Sequence, residues 1–342
     1  MSAQWRVAWS HQFDGLVAAL GLNDAGVVAA VGREVRALDS DGGLAWHTGM
    51  PFRPYAIATD DANVGVLAGN GFMVLNALDG QPLHEGRATP GGFADVLARP
   101  AGGWVLSDRE GQLHIFNTEG KGVRRISCGR IRRLIGWMDR EHLLIHDGDG
   151  CIRCVRLMAE ATQRKVEDRV WSWSTRLQNG RLLLQSTEGA LWVGSPNPFG
   201  WNELGKIRDV GVEPLDAAWT AEGWWMLEMD GGLTSIFDEE QEPLRGGDLM
   251  IGNSLDVLVT STRQGLLRFM ESSGLDAARR IRVSRDISEK RQHVDWQQRK
   301  TVFLCACEAE DAGDLSSAIE LYQSLGRQSD VKRLLAMREE GG

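Results

Sequence analysis

The stretch Gly92–Phe116, GFADVLARPAGGWVLSDREGQLHIF, holds the pattern that the rest of the chain repeats. Gly92 to Ala98 alternates as a first strand, Trp104-Val105-Leu106 reads as a second, and Gln112 to Phe116 as a third. Between the last two lies Ser107-Asp108-Arg109-Glu110-Gly111, a polar turn ending in glycine. Such a turn fits a type I turn plus a bulge, whose last position needs φ > 0. Glycine takes that backbone at no steric cost.

Working outward, a glycine that opens a short apolar run recurs at Gly32, Gly71, Gly111, Gly150, Gly189, Gly232 and Gly265, at spacings of 39, 40, 39, 39, 43 and 33 residues. A period of about 40 residues filled with short strands predicts propeller blades. The second strands, such as Leu182-Leu183-Leu184 and Trp224-Trp225-Met226-Leu227, are apolar throughout, which suits sheets stacked on both faces around a ring. A fourth, outer strand follows in most periods, as in Gly43-Leu44-Ala45-Trp46-His47, but the seventh period lacks one. The N-terminus has a spare strand, Gln4 to Ser10. The expected fold is therefore all-β, a seven-bladed β-propeller over residues 1–273 closed by its N-terminal strand. Closure removes open sheet edges. Six or eight blades are also compatible with the irregular last spacing.

Val28 to Trp46, VAAVGREVRALDSDGGLAW, resembles a repeat of the quinoprotein-like (PQQ-like) β-propellers: an apolar strand, a glycine turn, Ala-Leu-Asp, a glycine, then tryptophan. Asn76-Ala77-Leu78-Asp79-Gly80 repeats part of it. Later blades look more like divergent WD-repeat blades without the Gly-His or Trp-Asp signature. The resemblance implies the fold and leaves the activity open. Enzymes with such blades use a quinone cofactor and calcium, and several carry an adjacent cysteine pair, which this chain lacks.

Residues 274–342 change to a helical pattern. A long helix is expected from near Ser288 to Asp311, a second from Leu315 to Leu325, and a third from Ser329 to Met337. Ala309 to Tyr322 resembles a tetratricopeptide-type hairpin, with Ala312-Gly313-Asp314 as its turn and Ala318 as the small residue that permits close crossing. One hairpin cannot bury its own apolar face. Trp296, Phe303, Leu315, Ile319 and Tyr322 are accordingly candidate contacts for a partner or a second copy.

The formal charge of −9 argues against a protein built mainly to hold nucleic acid. The first residues show no basic start followed by an apolar stretch, and no apolar run approaches the roughly 18 residues of a membrane span. Five scattered cysteines do not make a disulfide framework, so the expected address is cytoplasmic.

Catalytic and cofactor motifs are missing: there is no Gly-x-Ser-x-Gly elbow, His-Glu-x-x-His helix or phosphate loop. Cys151 and Cys154, and Cys305 and Cys307, read as packing residues, because neither pair has the second pair that a zinc site needs. His142 and His146 share a strand face ahead of Asp147-Gly148-Asp149-Gly150, yet Cys151 and Arg153 follow where a calcium loop needs oxygen ligands. A turn satisfied by Asp side chains is the reading kept. No metal and no cofactor is expected. Most of the 13 tryptophans should fill inter-blade core, with Trp171 and Trp173 as candidates for exposed contacts near the funnel.

Lys121 to Arg133 stands out, with six basic residues (Lys121, Arg124, Arg125, Arg130, Arg132 and Arg133) and no acidic ones in an acidic chain. It spans the outer strand of blade 3 and the start of blade 4, a patch suited to an acidic protein, nucleic acid or an anionic membrane surface. Aromatic residues are not interleaved with these arginines, which makes nucleic acid the weaker partner. The expected function is a non-enzymatic protein-interaction scaffold. The alternative is a propeller that binds a small molecule or nucleic acid through its funnel or this patch.

Overall fold

The computed structural model describes residues 5–23, 26–60, 62–85, 89–118, 120–157, 161–176, 181–220, 223–236, 244–245, 247–253, 257–272, 301–303, 305–310, 312–324 and 328–340. The chain divides into two compact units, Met1–Gly274 and Leu275–Gly342.

In the first unit the described residues form seven antiparallel sheets of four strands each. Blade 3 runs Phe93–Ala98, Trp104–Asp108, Gln112–Phe116 and Gly122–Ser127, from innermost to outermost. Blade 7 is built from Leu249–Asn253, Val257–Ser261 and Leu266–Ser272, and its outer strand is the N-terminal segment Trp5–Gln12. Trp9 pairs with Phe269 and Gln12 with Leu266. The ring is closed by its own first strand, and the blade count is seven.

The core shows why the second strands are apolar on both faces. Seven hydrophobic clusters lie one between each successive pair of blades. Alternate residues of one strand serve different neighbours: Val64 and Val66 pack toward blade 1, while Leu67 packs toward blade 3. Tryptophans tie the interfaces through their indole N–H groups as well as their rings. Trp46 donates to Ala77 O at 2.9 Å and Trp137 to Ala98 O at 2.7 Å. Trp171 and Trp173 are buried in such clusters rather than exposed near the funnel. Their position beside the next blade, not their place on an innermost strand, decides it.

Two features differ from the repeat pattern. The left-handed turn residue is Gly69 in blade 2 and Gly231 in blade 6, with φ of 57° and 83°, not Gly71 or Gly232. Where Gly111 holds the position its φ is 87°, and a Cβ would stand 2.2 Å from Gly129 O. The second is blade 6, whose outer strand is only Leu244–Arg245 among the described residues.

Innermost strands of blades 1 to 5 share a register shift at the same place: Val17/Ala19, Pro54/Ala56, Phe93/Asp95, Ile131/Arg133 and Trp171/Trp173. A bulge bends the strand and re-aims the next side chain. It puts Asp95 and Arg133 at equivalent positions on neighbouring blades.

The second unit is helical at 301–303 and 305–310, then at Leu315–Ser324 and Gln328–Glu340. Gly313, at φ 77°, makes the turn, and Asp314 caps the next helix by accepting from the Ser317 N–H at 3.1 Å. Ala306 and Ala318 are fully buried where the helices meet. The second helix is described as far as Ser324, with Leu325 outside the described residues, and the third is longer than expected at both ends. Residues 273–300, with the start of the expected long helix and Trp296, lie outside the described residues.

Candidate functional site

In blades 3, 4, 5 and 7 the turn between the second and third strands carries a side chain that accepts its backbone amides. Asp108 Oδ1 accepts the N–H groups of Glu110 and Gln112 at 2.9 and 2.8 Å, while its Oδ2 lies 2.7 Å from His114 Nε2. Burial alone would raise this carboxyl, but the His114 contact and the amides outweigh it and hold it below the usual range. Asp147 does the same in blade 4, accepting from Asp149 and Cys151 and pairing with Arg153. Ser186 and Thr262 reproduce the amide bond four residues on, to Ala190 and Leu266. The Asp-x-Asp-Gly turn is thus satisfied by backbone and Arg153. His146 is buried, placed 3.1 Å from Trp171 O and 3.0 Å from the Ser174 hydroxyl, and burial lowers its pKa. His142 turns to Asp139 instead.

The basic run is divided by the fold. Lys121, Arg124 and Arg125 line a cavity of 620 Å³ between blades 2 and 3. His84, on the outer strand Pro82–Glu85 of blade 2, supplies one wall, and the link residue Thr89 another. Phe93, His114, Ile115 and Phe116 also line it among the described residues. Gly120, at φ 72°, admits the imidazole of His84: a Cβ there would meet it at 2.3 Å. His114 stands edge-on to Phe93 at 5.3 Å, and Arg125 is its cross-strand partner. The Thr89 hydroxyl is buried without a hydrogen-bond partner.

Arg130 and Arg132 are exposed and are not among the residues lining this cavity. Arg133 turns the other way, on the innermost strand of blade 4. Its guanidinium donates to Ser174 O of blade 5 and to Asp216 of blade 6, each at 3.3 Å. Asp95, one blade back, accepts the Leu134 N–H at 3.0 Å. Burial pushes both Asp95 and Asp216 above the ordinary carboxyl range, with Arg133 pulling each back. The run's last arginine therefore belongs to a charged cluster of the innermost strands.

In the helical unit, Phe303, Leu315, Ile319 and Tyr322 come together with Val331 and Leu334 in one core. The third helix supplies the cover that a lone hairpin lacks. Tyr322 O–H donates to Glu310, which Arg333 grips with both terminal nitrogens at 2.6 and 2.9 Å. Cys128, Cys151 and Cys154 are buried, but Cys305 is exposed rather than packed. No group of three or more metal-ligating side chains occurs among the described residues.

No family model and no curated protein sequence matches the chain. Among solved structures, that of BamB from Moraxella catarrhalis is similar, with a TM-score of 0.53 and 15% identity, covering 79% of this chain and 87% of that one. The likeness is to a propeller of PQQ-like repeats. It agrees with the glycine-turn and Ala-Leu-Asp pattern of the first two blades. At this identity what carries over is the fold, and the task has to be argued from the surface.

Proposed function

We propose that the chain is a non-enzymatic interaction scaffold, acting in the cytoplasm, which docks an acidic segment of a partner protein on the outer edge of blades 2 and 3. The observation that carries this reading is the edge strand Gly122–Ser127. It pairs with Gln112–Phe116 on one side only, and it exposes Val123 between Lys121 and Arg125. Leu83, on the outer strand of blade 2 next to His84, is exposed as well. An open edge with basic and apolar side chains suits an added strand of opposite charge. Free thiols at all five cysteines support a reducing compartment. The helical unit serves as a second docking or self-association element in this reading, tested by sedimentation of the full chain over a range of concentrations.

The test is quantitative affinity capture with the full chain and two variants. Lys121→Glu with Arg125→Glu should lose the acidic partner, while Arg130→Glu, at an exposed site off the cavity, should keep it. Equal capture by both variants would remove the docking face from the proposal.

A further inference from the structure

We infer that the propeller pairs face to face with a second copy of itself. The surface used carries the turns between second and third strands and the links from each blade to the next. The inference stands apart from the docking edge of blades 2 and 3, and its failure leaves that reading intact. Strands that run out and back put these turns and links on one face, where backbone bonds join them. The Cys128 N–H donates to Gly111 O at 2.9 Å, that of Trp171 to Gly150 O at 2.8 Å, and that of Val210 to Gly189 O at 3.0 Å.

Charge divides this face into two halves of opposite sign. Across blades 1 to 4, Arg33, Arg53, Arg109, Arg130 and Arg132 are exposed, against Glu110 and Asp149 among the described turn and link residues. Arg53, Arg109, Arg130 and Arg132 form no ion pair among the described residues. Across blades 5 and 6 the sign turns over. Glu188, Glu213 and Asp230 are exposed there, with Asp168 3.7 Å from Lys165. Against them stands Arg169, whose guanidinium lies over the rings of Trp171 and Trp192. At blades 7 and 1 the charges pair internally, Arg36 with Asp14 and Arg263 with Asp248.

The acidic half is also the more apolar one. Val170, Val212, Leu215 and Met229 are exposed on its neighbouring links and turns, Val212 and Met229 at 60% and 64%, and Phe52 is exposed at 60% on the basic half. Apolar side chains grouped on one face and rimmed by charge mark a surface that another protein covers. A two-fold axis lying in the plane of the face turns the basic half of one copy onto the acidic half of the other. It does so twice, because an isologous interface repeats every contact. Any acidic partner of a different kind suits the basic half and leaves the acidic, apolar half open; a second copy complements both. The net charge of −9 opposes contact between copies in other orientations, so the divided face also sets the register.

The experiment is analytical ultracentrifugation of the full chain and two charge-reversed variants. At concentrations up to about 100 µM the parent should show a monomer–dimer equilibrium that stops at the dimer and weakens as salt rises. Arg109→Glu with Arg130→Glu in one chain, and Glu213→Arg with Asp230→Arg in another, should each weaken self-association at least about a hundredfold. Mixed in equal amounts, the two variants should re-associate as a heterodimer within about threefold of the parent affinity, which also shows that both are folded. Phe199→Glu is the control. Phe199 is exposed between the third and outer strands of blade 5, on the opposite face, and its change should leave the dimer intact. Amide exchange of the parent at low and high concentration repeats the test without substitution: the links 128–132 and 210–215 should gain protection in the dimer. A parent that stays monomeric at about 100 µM in low salt overturns the inference. So does a dimer kept by both single variants, as self-association through the helical unit would give, or assembly that continues past the dimer. Loss in each variant with no recovery on mixing overturns it too, once exchange shows no protection of the two links.

Discussion

Replacing Trp9 by alanine tests whether the N-terminal strand closes the ring. Trp9 stacks on Phe269 with centroids 4.8 Å apart and planes 11° off parallel. Its indole N–H crosses to blade 1 and donates to Ser40 O at 2.8 Å. Gly42, at φ 82°, lies against the same ring, where a Cβ would meet it at 2.8 Å. One side chain therefore fastens the last blade to the first. A fully buried aromatic truncated to alanine costs about 3–5 kcal/mol, and the half-buried Trp9, with its stacking and one hydrogen bond, should cost about 2–3 kcal/mol. For a domain of this size that corresponds to a melting temperature lower by about 3–6 °C. Differential scanning calorimetry reads it directly. Arg6→Ala is the control: its bridge to Glu271 is 3.5 Å long and exposed, so the change should stay within about 0.5 kcal/mol. A Trp9→Ala protein that melts within about 1 °C of the parent refutes the clasp.

Three further outcomes follow from the same structure. Asp95 has its carboxyl raised by burial, so the folded state holds the proton more tightly than the unfolded one. That destabilisation is present at neutral pH and is relieved as pH falls through the raised value. Asp95→Asn should therefore melt higher than the parent at pH 7 and lose its advantage near pH 4; equal melting at both pH values would contradict the burial argument. Gly111→Ala should cost well over about 3 kcal/mol in urea unfolding, because strain at positive φ adds to a clash with Gly129 O, whereas Gly32→Ala, at φ 58° with nothing within 4 Å, should cost about 1 kcal/mol. In thiol labelling of the native protein at pH 8, Cys305 should react first. Cys128 and Cys154, with thiols pushed up to about 12 and about 11 by burial, should wait for unfolding.

The blades are legible in the sequence because each is a local unit: a strand, a glycine turn and a strand recur within forty residues, and the missing seventh outer strand points to the spare one at the start. Glycine position within the turn is less legible. Gly69-Asn70-Gly71 and Gly231-Gly232 offer two glycines each, and only the backbone decides which one carries positive φ. The basic run illustrates a deeper limit. Lys121 to Arg133 is continuous in sequence, but a propeller places an outer strand and the next innermost strand at opposite radial positions, so Arg125 faces a cavity and Arg133 pairs with Asp216. His84 and Thr89 complete the cavity from the preceding blade, and nothing local marks them. The Asp108–His114 and Asp147–Arg153 pairs were legible in principle, since an acid at the turn precedes a basic residue by six positions in both blades. In the helical unit the turn and its cap were readable, while the third helix's cover over Ile319 and Tyr322 needed the tertiary structure.

Where a partner touches the propeller is measured most directly by site-specific photo-crosslinking of the full chain in cells. A photoreactive residue at Val123, on the basic edge of blade 3, is compared with one at Val7, equally open on the outer strand of blade 7. A discrete adduct with an acidic protein from Val123 and none from Val7 is the expected result. The same adduct from both positions, or from Val7 alone, would contradict docking on blades 2 and 3.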